Sequence, residues 1–350
     1  MENNTLTALK GVRVGHSTHL DKLTGCTVIL FDEPNTVAYR SYGGAVGAFN
    51  TEGLRSGSTM YDSNGLFIAG GSMTGLMSAS AITDCLRKDK IGMKMGHNIY
   101  NPSISGAIIW DLGVTIAPYD PEYGTEAYKN ASRGPVESGN VGAGTGATAG
   151  KFRWIEGGSK SGAMKTGVGS ARVNLGNGIM VCALSVVNPI GNIVLPNNTF
   201  LAGNRDEKTK FKAYEDLANF VTHPDSEPTT NTTISVVGIN VDLGSIENYE
   251  RIAHLASHGQ VRAINPVHTS QDGDTVFVFS NRELKNPLNS KAQYFKAVDS
   301  DLHVQVDIIG HAAGKAVQQS IYDACIKATT VKYEKGYQGV IPSARDYQAS

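Results

Sequence analysis

Short apolar runs alternate with glycine-rich turns along the first half of the chain: VRVGH at 12–16, CTVILF at 26–31, LFIAGG at 66–71 and SGAIIWDLGV at 105–114. Their length and β-branched content predict strands. Thr74 to Arg87 carries small apolar residues on one face and predicts a helix, whereas 120–140 is polar and turn-rich and predicts none. IMVCALSVV at 179–187 reads as a buried strand that stops at Asn188-Pro189, because the residue before proline is pushed out of helical geometry. Phe211, Tyr214, Leu217 and Phe220 form a stripe that predicts a helix over about 208–221. The polar stretch THPDSEPTTN then gives way abruptly to a strand, TISVVGINV, ending at Val241. A helix from Ser245 to about Ser257, a strand DGDTVFVF at 272–279 and a long helix from Ile308 to Ala328 complete the pattern. No whole-unit repeat occurs. Strands flanked by helices make an α/β or α+β layered fold.

Composition adds one anomaly. The chain of 350 residues holds 40 glycines, about 11% against a usual share of roughly 7%. They follow no Gly-X-Y period and sit inside apolar runs, so collagen and a low-complexity linker are excluded, and close backbone approach is implied. With 31 basic and 32 acidic side chains, nothing marks a nucleic-acid or membrane partner. The N-terminus MENNTLTALK lacks the basic and apolar regions of a signal peptide, and no uninterrupted apolar stretch is long enough to span a bilayer, which gives the cytoplasm as the expected location. Cys26, Cys85, Cys182 and Cys325 form no CxxC pair or zinc spacing and read as buried apolar side chains.

Several motifs fail on spacing. The densest glycine cluster, GNVGAGTGATAGK, ends at Lys151, but Thr145 stands where a phosphate loop needs glycine and Phe152 where it needs Ser or Thr. Gly144 to Ala149 fits the looser dinucleotide pattern, yet a loop-like segment precedes it instead of a strand. His254 and His258 would share a helix face, without an HExxH glutamate or a third zinc ligand. Gly70-Gly71-Ser72-Met73-Thr74 lacks the last glycine of a nucleophile elbow. Two features leave alternatives open. Asn231-Thr232 is either a turn entering a strand or the seat of an N-terminal nucleophile, whose hydroxyl attacks its own preceding carbonyl and whose freed α-amine becomes the base. Asp272-Gly273-Asp274 is either a hairpin turn or a carboxylate pair that holds and tunes a nucleophile.

Taken in order, GVRVGH, TGCTVILFDEP, GGAVGAF, IAGGSMTGLMSASAITDCL, GAGTGATAGK, VVNPIG, NTTISVV and HTSQDGDTVF resemble the L-aminopeptidase/D-esterase and nylon-oligomer hydrolase family of N-terminal nucleophile enzymes. The resemblance runs from about Gly11 to Ala328. It implies an αββα sandwich, the aminopeptidase/ornithine acetyltransferase-like fold, and one catalytic domain over 1–350 that cuts itself between Asn231 and Thr232 into an α-part, 1–231, and a β-part, 232–350. Thr232 becomes the catalytic nucleophile. By the same resemblance Lys151 is the active-site lysine, Asn188 an oxyanion donor, and Asp272 with Asp274 the acidic pair. Threonine with that pair leans towards the nylon hydrolase branch. One position departs: Trp110 stands where that branch has tyrosine, so its indole N–H can contact substrate but supplies no acidic hydroxyl, which bears on substrate choice more than on reaction type.

The activity implied is hydrolysis of linear amides, such as 6-aminohexanoate oligomers or polyamide segments, through an acyl-enzyme. No cofactor or metal is required, and a homo-oligomer of αβ units is expected. The alternatives are an aminopeptidase or amidase on short peptides or amino-acid amides, an acyltransferase of the ornithine acetyltransferase type, and an uncleaved nucleotide-binding or scaffold protein that retains only the fold.

Overall fold

The computed structural model describes residues 2–115, 117–151, 162–205, 211, 231–285, 300–333 and 339–347. The helix expected over 208–221 lies outside them apart from Phe211. Among the described residues nine strands join one mixed sheet: β1 (Val12–His19), β2 (Thr24–Ser41), β3 (Ala48–Phe49), β4 (Asp62–Ala69), β5 (Ile104–Ile108), β6 (Val168–Gly176), β7 (Ile179–Asn188), β8 (Thr232–Asp242) and β9 (Thr275–Lys285). Their order is β6-β7-β8-β9-β2-β4-β5-β3, with β1 on the first half of β2. The β8–β9 and β4–β5 pairs are parallel.

Alternation along each strand builds the layers, because successive side chains point to opposite faces. Cys182, Leu184 and Val186 of β7, Ile234 and Val236 of β8, Phe277 and Phe279 of β9, and Ile29, Phe31, Leu66 and Ile68 of β2 and β4 share one inner apolar layer. The opposite faces diverge. Val181, Ala183, Val237, Ile239, Val276 and Val278 pack under helices α3 (Ile246–Ala263) and α4 (Ser300–Lys327), whereas Cys26, Val28, Leu30, Phe67 and Ala69 pack under α1 (Ser78–Lys88) and α2 (Glu122–Lys129). Helices, one half of the sheet, its other half and helices therefore stack as the expected αββα sandwich.

Three departures from the sequence reading have physical causes. Helix α2 falls in the stretch read as turns; its buried face is Tyr123, Gly124, Ala127 and Tyr128, too short and too polar to show a period. Helix α3 runs past Ser257 because Gly259 is a packing position: a Cβ there would lie 2.2 Å from the Gly314 carbonyl of α4. The strand read over 105–114 ends at Ile108, and its remainder forms a turn in which Val114 and Thr115 donate to the Asp111 carbonyl. Among the described residues no helix is long and apolar enough to cross a membrane.

Candidate active site

The site forms where β7 ends, β8 begins and the lead-in to β9 runs alongside. Asn188, last in β7, pairs directly with Thr232, first in β8, so their side chains share one face. Both continue the inward-pointing parity of Val186 and Ile234, which sets them at the end of the layer between the sheet halves. Thr232 is 3% exposed, and its hydroxyl donates to the carbonyl of Asn231. Asn231 forms a parallel bridge with Asp272: its N–H donates to Gln271 O at 2.8 Å, and its carbonyl accepts from Gly273 N at 2.7 Å.

The glycine cluster delivers Lys151 to this point. Gly150 N donates to Gly191 O at 3.0 Å and Lys151 N to Ile190 O at 2.9 Å. Gly150 has φ +79°, and a Cβ on it would fall 1.9 Å from Asn204 N, so only glycine fits. Lys151 Nζ donates to Thr148 O at 2.8 Å, Asn188 O at 2.8 Å and Asn188 Oδ1 at 2.7 Å. Burial pushes this amine well below the ordinary lysine range, while Asp272, Asp111 and Asp274 pull it upward. Three acceptors around one nitrogen require three hydrogens, so the ammonium is the form the geometry satisfies. Asn188 is held at both ends of its amide: Oδ1 also accepts from Thr148 N at 3.1 Å, and Nδ2 donates to Trp110 O at 2.9 Å. Trp110 thus meets the site through its carbonyl, while its ring packs by Gly113.

The two aspartates are fully buried and face different supports. Asp272 accepts from Ile190 N at 3.1 Å, Thr269 N at 3.1 Å and Thr269 Oγ1 at 2.6 Å. Burial first, then the Asp274 charge, pushes its carboxyl up to about 6, against the pull of those donors. Asp274 accepts from Thr233 N at 2.6 Å, His268 N at 2.9 Å and His268 Nδ1 at 2.9 Å. It thereby fixes the residue after Thr232. The loop that follows β2 closes over the pair, with Ala45 N donating to Asp272 O at 2.8 Å. Gly43 is obligatory there, since a Cβ would lie 1.9 Å from Asp272 O.

Sequence reading missed four contributors. Lys165 is 1% exposed and donates to Gly144 O at 2.9 Å, Ala147 O at 2.9 Å and Thr166 O at 2.5 Å, tying down the loop that carries Lys151. Burial lowers its amine to about 7, against the Asp111 charge. Asp111 accepts from Gly71 N and Thr24 Oγ1, both at 2.7 Å, and burial pushes its carboxyl up to about 6. His268 and Thr269 brace the aspartates. A lysine inside the apolar-flanked AMKTGV was the available signal for Lys165; the others have none without the fold.

The rejected motifs stay outside this chemistry. Gly142 N and Ala143 N donate to Thr18 Oγ1 and Thr27 Oγ1 within the fold, so those groups of the glycine cluster present no cradle for a phosphate. His254 and His258 lie with ring centroids 5.4 Å apart; among the described residues no three His, Cys, Asp or Glu side chains group as metal ligands.

The sequence profile described as peptidase family S58 matches residues 4–339. A protein named an uncharacterized aminopeptidase from Mycobacterium leprae (strain TN) is 30% identical over 362 residues, covering 97% of this chain and 95% of that one. A 6-aminohexanoate-oligomer endohydrolase from Paenarthrobacter ureafaciens is 30% identical over 325 residues, 90% of this chain and 84% of the relative. The solved L-aminopeptidase D-Ala-esterase/amidase of Ochrobactrum anthropi, described as a variant of the Ntn hydrolase fold, superposes with a TM-score of 0.70 at 18% identity, covering 99% of this chain and 92% of that one.

Proposed function

The chain belongs to peptidase family S58, and from that premise we propose that it is a self-cleaving amidohydrolase whose nucleophile is Thr232. The family and its relatives make it a hydrolase of amide bonds. The observation that carries the threonine is its position: a buried strand opens on Thr232, and its hydroxyl rests against the carbonyl of the peptide to be cut. Attack on that carbonyl and hydrolysis of the resulting ester leave 1–231 and 232–350 as one αβ unit, of which several assemble in the cytoplasm. The freed α-amine of Thr232, with an ordinary pKa near 8, then serves as base to its own hydroxyl. Thr232 attacks the substrate carbonyl, the amine product leaves, and water releases the acyl group.

The surrounding groups have separate tasks. The Lys151 ammonium orients Asn188 and offsets the carboxylates across the site. Asp274 holds Thr233 N, and hence the start of β8, in register. Asp272 holds Ile190 N beneath Lys151. Asn188 Nδ2 keeps one hydrogen beyond its bond to Trp110 O, which can meet a developing oxyanion.

For substrate we propose linear amides of the 6-aminohexanoate-oligomer kind, on the strength of Thr232 with the Asp272-Gly273-Asp274 pair and the endohydrolase relative. Trp110 favours a second reading, short peptides or amino-acid amides, because the indole replaces the tyrosine of the nylon hydrolase pattern and the aminopeptidase relative covers more of the chain. Turnover of 6-aminohexanoate dimers to tetramers is compared with that of alanine amide and dipeptides. Higher kcat/KM on the oligomers is expected; higher kcat/KM on the peptides transfers the assignment to the second reading.

A further inference from the structure

Asp272 and Asp274 flank a residue to which neither the motif nor the resemblance gives a role. Gly273 N donates to the Asn231 carbonyl at 2.7 Å, the same oxygen that the Thr232 hydroxyl meets. The bond to be cut therefore already has its nucleophile on one side and a backbone donor on its oxygen. The Asn231 N–H to Gln271 O bond, at 2.8 Å, locks that arrangement. Asn188, the donor expected from the resemblance, has Nδ2 bonded instead to Trp110 O. Glycine is needed at 273 by close approach, since a Cβ would lie 2.7 Å from Ala45 O and 2.9 Å from Thr232 Oγ1.

We propose that the Gly273 N–H is the oxyanion donor of self-cleavage, and that the carbonyl of an incoming amide later takes the place of the Asn231 carbonyl on it. This rests on the self-cleavage reading of Thr232. Thr232 Oγ adds to the Asn231 carbonyl carbon, and the charge developing on oxygen is met by an N–H already aimed at it. Collapse breaks the C–N bond while the Oγ proton passes to nitrogen, giving an ester and a free α-amine. Water adds to the ester, the C–Oγ bond breaks, and the products are the Asn231 carboxylate and the Thr232 hydroxyl. Cleavage leaves a third carboxylate, on Asn231, at the bridge to Asp272 among the buried Asp272 and Asp274 side chains, where like charges repel. Their repulsion moves the new terminus off Gly273 and frees the N–H for substrate.

The test is the full chain made by cell-free translation with glycolic acid at position 273, which replaces the Asp272–Gly273 amide by an ester, removing the N–H and weakening the Asp272 carbonyl that accepts from Ala45 N. Self-cleavage is expected to slow roughly 10²–10³-fold, and the enzyme that does mature is expected to lose kcat with little change in KM. Cleavage within threefold of the parent overturns the inference while leaving Thr232 as nucleophile; a parent chain that never cleaves overturns both. Should the ester chain not fold, the N–H is read directly. Asp272-Gly273 is the sole Asp-Gly pair in the sequence, so ¹³C′-Asp with ¹⁵N-Gly labelling gives a single amide signal. In an uncleaved Thr232→Ala chain that amide is expected to resist exchange, and in the cleaved parent to lose that protection. Free exchange in the uncleaved chain overturns the inference.

Discussion

Replacing Lys165 by methionine tests whether one buried cation holds the loop that presents Lys151. The side chain is 1% exposed and donates to three backbone carbonyls, those of Gly144, Ala147 and Thr166. Methionine fills similar volume and recovers the desolvation cost of the ammonium. The three carbonyls cannot be mutated away, however, and each unpaired buried acceptor costs about 1–3 kcal/mol. Asp111 also loses the cation that lowers its carboxyl. Three such acceptors, less the desolvation recovered, cost on the order of 3–5 kcal/mol. With an unfolding entropy of about 2.1 cal/mol/K per residue, roughly 0.7 kcal/mol/K for this chain, that is a fall in Tm of roughly 4–7 °C. Differential scanning calorimetry on uncleaved chains, Thr232→Ala with and without Lys165→Met, measures it without interference from cleavage. In a Thr232 background the same substitution slows self-cleavage, because Thr148 O and Lys151 move with the loop. An unchanged or raised Tm refutes the reasoning, since it means that the carbonyls find other donors.

Three further outcomes follow from the same geometry. Gly150→Ala places a Cβ 1.9 Å from Asn204 N at a φ of +79°; at least tenfold slower cleavage on a denaturing gel, with a stability loss of about 1–3 kcal/mol, is expected, and parental cleavage contradicts the loop's role. Asn188→Asp keeps acceptors for Lys151 and Thr148 N but removes the donor to Trp110 O, so it is expected to retain the Lys151 position while lowering kcat more than Asn-to-donor loss in an exposed site would, roughly 10²-fold; unchanged kcat removes Asn188 from the oxyanion set. Burial and the Asp274 charge push the Asp272 carboxyl from its ordinary 3.8 up to about 6, so between those values the folded state binds more protons and stability falls as pH rises. In the Thr232→Ala background, Asp272→Asn is therefore expected to gain up to about 3 kcal/mol relative to its parent from pH 4 to pH 7, measured by urea unfolding; a pH-independent difference contradicts the shift.

Much of the fold is legible in the chain because parity does the work: Cys182, Leu184 and Val186 against Val181 and Ala183 already separate two faces before any partner is known. The break at Asn231-Thr232, polar loop into apolar strand, likewise marks the start of β8. What parity cannot give is register. That Asn188 stands opposite Thr232 depends on antiparallel pairing across a long intervening stretch, and no local signal encodes it. The same holds for Gly43, whose missing Cβ matters only because Asp272 O comes to rest there. Helix α2 was hidden because tyrosine, glycine and alanine make its buried face. Lys165 and Asp111 were hidden because most of their partners, the Gly144 and Ala147 carbonyls for one and Gly71 N and Thr24 Oγ1 for the other, lie far away in sequence. The resemblance placed Lys151, Asn188, Thr232, Asp272 and Asp274 together, and the structure brings all five to one end of β7, β8 and β9, with Trp110 joining through its carbonyl.

The central claim, Thr232 as a nucleophile made by self-cleavage, is tested most directly by the intact mass and N-terminal sequence of the purified chain's denatured fragments. Divided in proportion to length, 37.1 kDa gives fragments of about 24.5 and 12.6 kDa, the smaller beginning Thr232-Thr233-Ile234, and Thr232→Ala stays whole. A wild-type chain that hydrolyses amides as a single uncut 37.1 kDa species contradicts the account.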